Sequence, residues 1–102
     1  MPEINLGSIS ELKKQPLQCV TEDEHQYVLI HLNGEFYLLD NLCPHKAAAL
    51  CDGDVKGNEI HCPWHKAKFD IHSGRALTPL GGHGVQSYSL IVQQGQLIAQ
   101  IP

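Results

Sequence analysis

Apolar positions in this chain fall in short runs, each closed by a polar or glycine-bearing break. No stretch keeps helical spacing over three turns. The most regular piece is YVLIHL at 27–32, then Asn33-Gly34, then EFYLLD at 35–40. An Asn-Gly pair between two apolar runs is a strong hairpin signal, because both residues tolerate positive φ. A second hairpin is predicted from VQSYSLIV at 85–92, with Val85, Tyr88, Leu90 and Val92 facing inward, through Gln94-Gly95 into QLIAQI at 96–101. LQCV at 17–20 reads as a strand and TEDEH at 21–25 as a polar turn. GDVKGNEIHC suggests short strands at 54–56 and 59–61 around Lys56-Gly57-Asn58. KAKFDIHSGRAL reads as strand, turn, strand, with Phe69 and Ile71 inward and the turn at Ser73-Gly74. Near the start, Ile4 and Leu6 give a brief apolar touch; Ser8 or Ser10 caps one helical turn that folds Leu12 back, and Pro16 ends it. The predicted class is all-β: a small antiparallel sandwich or partly open barrel, with a lobe of short strands inserted at about residues 42–78.

Composition narrows the function. The 102 residues make one domain, 1–102, with a thin core. Hydrophobic content of 42% and charged content of 18% are those of a globular chain. A net charge of −4 argues against a nucleic-acid surface, which needs clustered Lys and Arg. No apolar run is long enough to span a membrane, and MPEINLGSIS lacks the basic and apolar segments of a secretory signal. A cytoplasmic location is therefore expected, and a disulfide framework among Cys19, Cys43, Cys51 and Cys62 is not. Cys19 reads as an ordinary strand cysteine and Cys51 as a small buried hydrophobe. Tyr27, Phe36 and Tyr37 read as sheet packing.

The chemistry concentrates between Cys43 and His65. Cys43-Pro44-His45 and Cys62-Pro63-Trp64-His65 repeat one local grammar, Cys-Pro-(x)-His, across sixteen intervening residues. Proline stiffens each loop. Two thiolates and two imidazoles suit either zinc or an iron–sulfur cluster. Structural zinc sites usually draw a cysteine pair and a histidine pair, the latter on a helix. Here each pair is mixed and no helix is available. Mixed pairs suit a binuclear cluster, in which each loop supplies one ligand to each iron: Cys43 and Cys62 can hold one, His45 and His65 the other.

These residues resemble the Rieske-type [2Fe–2S] proteins. The resemblance rests on CPH, then CPWHKAKFDIHSGRAL, and on Asp52-Gly53, Phe69-Asp70 and Gly74. It implies Cys43 and Cys62 on a buried iron and His45 and His65 on an outer one near solvent. Neutral imidazoles make the cluster less negative than four thiolates do, which eases reduction and agrees with the higher potentials of histidine-ligated centres. High-potential members carry an extra cysteine in each box; Ala48 and Trp64 stand there instead. They also carry hydroxyl donors where this chain has Ala67 and Phe69. Fewer donors to sulfur imply a potential toward the lower end of the histidine-ligated range. Lys66 replaces a glycine common after the second histidine. Lys66 and Lys46 are read as solvated lysines, with partner contact or potential tuning as the alternative.

The resemblance implies a free-standing ferredoxin with no catalysis of its own. It would carry one electron from a flavin-containing NAD(P)H-dependent reductase to a Rieske non-haem iron aromatic-ring oxygenase, as a monomer in transient complexes. The expected contact surface is Pro44, His45, Lys46, Trp64, His65, Lys66 and Pro79 to His83, with Trp64 in an apolar docking patch. Two alternatives are a small subunit of an assimilatory nitrite reductase and a zinc-stabilised interaction module without redox activity.

Overall fold

The computed structural model describes residues 3–22, 25–41, 49–63, 67–78 and 84–101. Nine strands run through them: β1 (Glu3–Ser8), β2 (Leu17–Glu22), β3 (His25–Leu32), β4 (Glu35–Asp40), β5 (Asp54–Lys56), β6 (Glu59–His61), β7 (Lys68–Asp70), β8 (Ser87–Gln93) and β9 (Gln96–Gln100). One helical turn, α1 (Ile9–Leu12), follows β1. Six strands form an antiparallel sheet in the order β1-β9-β8-β4-β3-β2, and three form a smaller one, β5-β6-β7.

Both predicted hairpins are present, and the reason is the turn chemistry. Asn33 and Gly34 take φ of 53° and 83°, and Gln94 and Gly95 take 51° and 75°. Two consecutive left-handed residues give a turn whose twist matches that of the flanking strands. β3 then pairs with β4 from Leu32↔Glu35 to Tyr27↔Asp40, and β8 with β9 from Gln93↔Gln96 to Ser89↔Gln100.

The apolar run in β3 is continuous because both of its faces are covered. Tyr27 and Leu29 point into a cluster with Leu12, Leu38, Leu97 and Ala99, inside the curved six-stranded sheet. Val28 and Ile30 point the other way, into a cluster with Leu39, Leu50, Ile60, Cys62, Ala67, Phe69 and Ile71. The β3–β4 hairpin is thus a shared wall between the large sheet's core and the smaller sheet. Side chains alternate across a strand, so a strand buried on both faces reads as an unbroken apolar run.

The structure refines several expectations. The N-terminal apolar touch is a full strand, β1, paired with β9 from Glu3↔Gln100 to Ser8↔Gln96. β2 and β3 extend to Glu22↔His25, so strand occupies both ends of the segment expected as a polar turn. α1 buries Leu12 as expected, but Ser8 makes no side-chain cap; its hydroxyl lies 2.8 Å from that of Ser10. After β7 the chain returns through a single bridge, Phe69↔Ala76, rather than a second strand. Val85 packs on the cluster shared with the smaller sheet, while Tyr88 and Leu90 pack on the other. Val92 is not inward: it is 57% exposed. It shares the face of Tyr88 and Leu90 and pairs with Leu97, which is buried, so exposure at this end of the hairpin falls on β8 and not on β9. Among the described residues no helix is long and apolar enough to cross a membrane.

Phe69 is fully buried between the two sheets. Its replacement by alanine should cost roughly 3–5 kcal/mol, read as a fall in the urea midpoint. A change under about 1 kcal/mol would mean that this cluster does not hold the smaller sheet.

Candidate metal centre

Of the expected ligands, Cys62 lies within the described residues; Cys43, His45 and His65 lie outside them. So do Leu42, Pro44, Lys46, Ala47, Ala48, Trp64, Lys66 and the segment Pro79 to His83, and with them the whole of the expected contact surface. The structure does describe the necks of both ligand loops, and each is tied shut.

The first loop is closed at Asn41. Its backbone carbonyl accepts the Leu50 N–H at 2.6 Å, and its side-chain Oδ1 accepts the Cys51 N–H at 2.8 Å. Asn41 is itself held by Gln26, whose carbonyl accepts the Asn41 N–H at 3.0 Å and whose Oε1 accepts from Nδ2 at 3.2 Å. Asn41 is the one buried polar residue among those described, at 2% exposure. Its amide is the right length to hold both the strand beside it and the returning chain. The strand end is fixed from the other side by Asp40. Its N–H donates to the Gln86 carbonyl at 2.9 Å, and its Oδ1 accepts the Tyr88 hydroxyl at 2.7 Å and lies 2.7 Å from His25 Nε2.

The second loop is closed by the Cys62 N–H donating to the Ala67 carbonyl at 2.7 Å. Cys62 and Ala67 are 3% and 1% exposed and belong to the same apolar cluster as Leu50. Both necks are therefore rooted in one core. Gly53 brings the two chains close: a Cβ there would collide with the His61 carbonyl, so only glycine lets the segment after the first loop lie against the strand that leads into Cys62. After the second loop, the Leu77 N–H donates to the Lys68 carbonyl at 2.8 Å, and the Val85 N–H to the Gly74 carbonyl at 2.8 Å. The described residues on either side of the segment 79–83 are thus tied to the chain that follows the second loop.

His61 and His72 were not expected as ligands. His61 Nε2 lies 3.1 Å from Glu59 Oε1, and His72 makes an edge contact with the Tyr37 ring, centroids 4.7 Å apart. His83 lies outside the described residues.

Cys19 and Cys51 require a correction. Neither is an isolated cysteine: they are joined by a disulfide, their Cα atoms 5.3 Å apart, within the usual range for such a bond. The expectation failed because the two are 32 residues apart and meet only when β2, the edge of the large sheet, lies along the 3₁₀ turn Leu50–Asp52. The bond pins the neck of the first loop covalently, beside Asn41. Closing a loop with 32 residues between its ends contributes roughly 3–4 kcal/mol on the chain-entropy account. Asn41 and this disulfide are the site features that reading the sequence missed; Gly53 was read as part of an Asp-Gly turn, without its close approach to His61. Only Asn41 left a signal, a polar residue between a core strand and the first ligand box.

A model of the Rieske [2Fe-2S] domain matches residues 3–89. The chain belongs to the Rieske [2Fe-2S] family. It is 33% identical over 90 residues to the naphthalene 1,2-dioxygenase system ferredoxin component of Pseudomonas aeruginosa, covering 88% of this chain and 86% of that one. Among solved structures, the ferredoxin of carbazole 1,9a-dioxygenase from Nocardioides aromaticivorans superposes with a TM-score of 0.89 at 21% identity, each chain wholly covered. A chain from the complex of reduced oxygenase and oxidized ferredoxin in carbazole 1,9a-dioxygenase gives 0.86 at 18% identity, covering 95% of this chain and 91% of that one. The all-β reading and the family resemblance are both borne out.

The residues present fit the family's cluster. Cys62 offers a sulfur from a buried, apolar loop neck, and Leu50, at the neck that leaves from the end of β4, shares its core. A buried, apolar root beneath the ligand is what an iron–sulfur centre needs on its protein side.

Asn41→Ala should cost about 2–3 kcal/mol, because it strands the buried Cys51 N–H, and should lower iron bound per chain. An unchanged urea midpoint would remove Asn41 from this role. Burial first, then the hydrogen bond to Asp40, push the Tyr88 phenol well above its usual 10.0. The folded chain keeps that proton where the unfolded chain loses it, so this contribution is present below pH 10 and is lost as pH rises beyond. Tyr88→Phe should cost about 1 kcal/mol at neutral pH and flatten the alkaline fall in urea midpoint. An equally steep fall would assign it to other groups.

Proposed function

We propose that this chain is the ferredoxin component of a ring-hydroxylating oxygenase system, carrying single electrons from a flavin-containing NAD(P)H-dependent reductase to a terminal oxygenase. The observation that carries this reading is the near full-length match to a dioxygenase ferredoxin component, on a chain whose two ligand-loop necks share one buried core. A nitrite reductase small subunit has weaker support. The chain acts as a monomeric, cytoplasmic carrier and performs no catalysis itself.

Cys43, His45, Cys62 and His65 hold the cluster, and residues 42–78 form its subdomain. When bound, the [2Fe–2S] group supplies one reversible electron. The protein fixes the ligands before the metal arrives, through the Asn41 and Cys62 necks, so little reorganisation accompanies electron uptake. Ala67 and Phe69, both buried, offer no hydroxyl to the centre's sulfur. That absence favours a potential at the lower end of the histidine-ligated range. Partners dock on the ligand-loop side, through Trp64, the two histidine ligands and the Pro79 to His83 segment. Leu77, 46% exposed, stands just before that segment in the chain. Small transient interfaces let a carrier leave after each transfer.

Anaerobic reconstitution should give equal iron and acid-labile sulfide, a visible absorption band, and a midpoint potential below about +100 mV. His65→Ala should abolish the band while leaving far-ultraviolet circular dichroism unchanged; zinc in place of iron would overturn the redox reading. Trp64→Ala should lower electron delivery to the oxygenase roughly tenfold with the visible spectrum intact. Equal loss of bound iron would make Trp64 a packing residue instead.

A further inference from the structure

We propose that the Cys19–Cys51 disulfide is a second redox site of this chain, a thiol-addressable two-electron couple whose oxidised form locks the neck of the first ligand loop. Three observations converge on it. Cys19 is exposed on β2 while Cys51 is half-buried, so a thiolate from solvent has a path to the Cys19 sulfur. Cys51 is the residue whose N–H is held by Asn41 Oδ1, one position after the Leu50 N–H that closes the same neck. The bond therefore sits on the hinge of the loop, six residues after His45. Finally, a carboxylate oxygen of Asp52 lies within 4.8 Å of both sulfurs. Its negative charge slows attack by any thiolate and disfavours a departing one, so a dithiol, whose second thiol resolves the mixed disulfide intramolecularly, is the effective reductant.

The exchange balances as follows. One thiolate of the dithiol attacks Cys19 Sγ; the Cys19–Cys51 bond breaks, a mixed disulfide forms on Cys19, and the Cys51 thiolate leaves and takes up a proton. The second thiolate of the dithiol attacks its own sulfur in the mixed disulfide, closing an oxidised dithiol and releasing Cys19, which is protonated in turn. Two electrons and two protons enter the protein. With the bond cut, the neck keeps the Asn41 hydrogen bonds and apolar packing but loses its covalent fastening, so local opening of residues 49–53 becomes easier. Release of iron should follow. That last consequence rests on the ligand assignment proposed above; the couple itself does not.

The experiment uses the full chain, alkylated with N-ethylmaleimide at lysis and mapped by peptide mass spectrometry, then treated with dithiothreitol. A Cys19–Cys51 linked peptide is expected before treatment and two alkylatable thiols after it. Amide hydrogen exchange of residues 49–53 should rise roughly tenfold on reduction, with iron release to a chelator accelerating in step. The variant C19S/C51S should show the fast exchange with or without dithiothreitol; if it fails to fold, the wild-type comparison still decides. Both cysteines alkylated at lysis and still unlinked after a mild thiol oxidant, or exchange at 49–53 that ignores redox state, would overturn the proposal. Exchange that responds while iron release does not would support the couple and count against the first loop as a ligand loop.

Discussion

Burial of one hairpin on both of its faces is the constraint from which the architecture follows. Val28 and Ile30 face the smaller sheet, Tyr27 and Leu29 face the interior of the larger one, and Leu38 and Leu39 split in the same way. A chain this small cannot fill two separate cores generously, so β3 and β4 serve both. Among the described residues, the smaller sheet, whose strands are three residues each, packs Ile60 and Phe69 on this wall. Its position, and that of everything mounted on it, is set by contact with this wall.

Function is built at the rim of that arrangement. β4 ends at Asp40, and the next residue, Asn41, gathers four hydrogen bonds at the point where the chain departs into the first ligand loop. β6 ends at His61, and Cys62 closes the second loop one step later. Both segments leave from strand ends, so the sheets fix the points from which they depart, which suits a centre whose work is to change charge without changing shape. The disulfide adds a covalent fastening at one neck, an addition that the family resemblance did not imply.

Local rules carried far in this chain where a few residues decide conformation by themselves. Asn33-Gly34 and Gln94-Gly95 set two hairpins through backbone preference alone, and Lys56-Gly57-Asn58 gave the bounds of β5 and β6 correctly. They failed where an element depends on a distant partner. β1 became a strand because β9 offered it an edge, and Val92 is exposed although its cross-strand partner Leu97 is buried.

The same division holds for the site. The two Cys-Pro-(x)-His boxes lie in the chain as a readable motif because cluster chemistry demands particular donors at short local spacing. Family and cofactor follow from that local text. The meeting of Cys19 with Cys51, the latch at Asn41 and the close approach at Gly53 belong to tertiary structure. Each depends on which segments are laid side by side, and residues 32 apart carry no local mark of becoming neighbours.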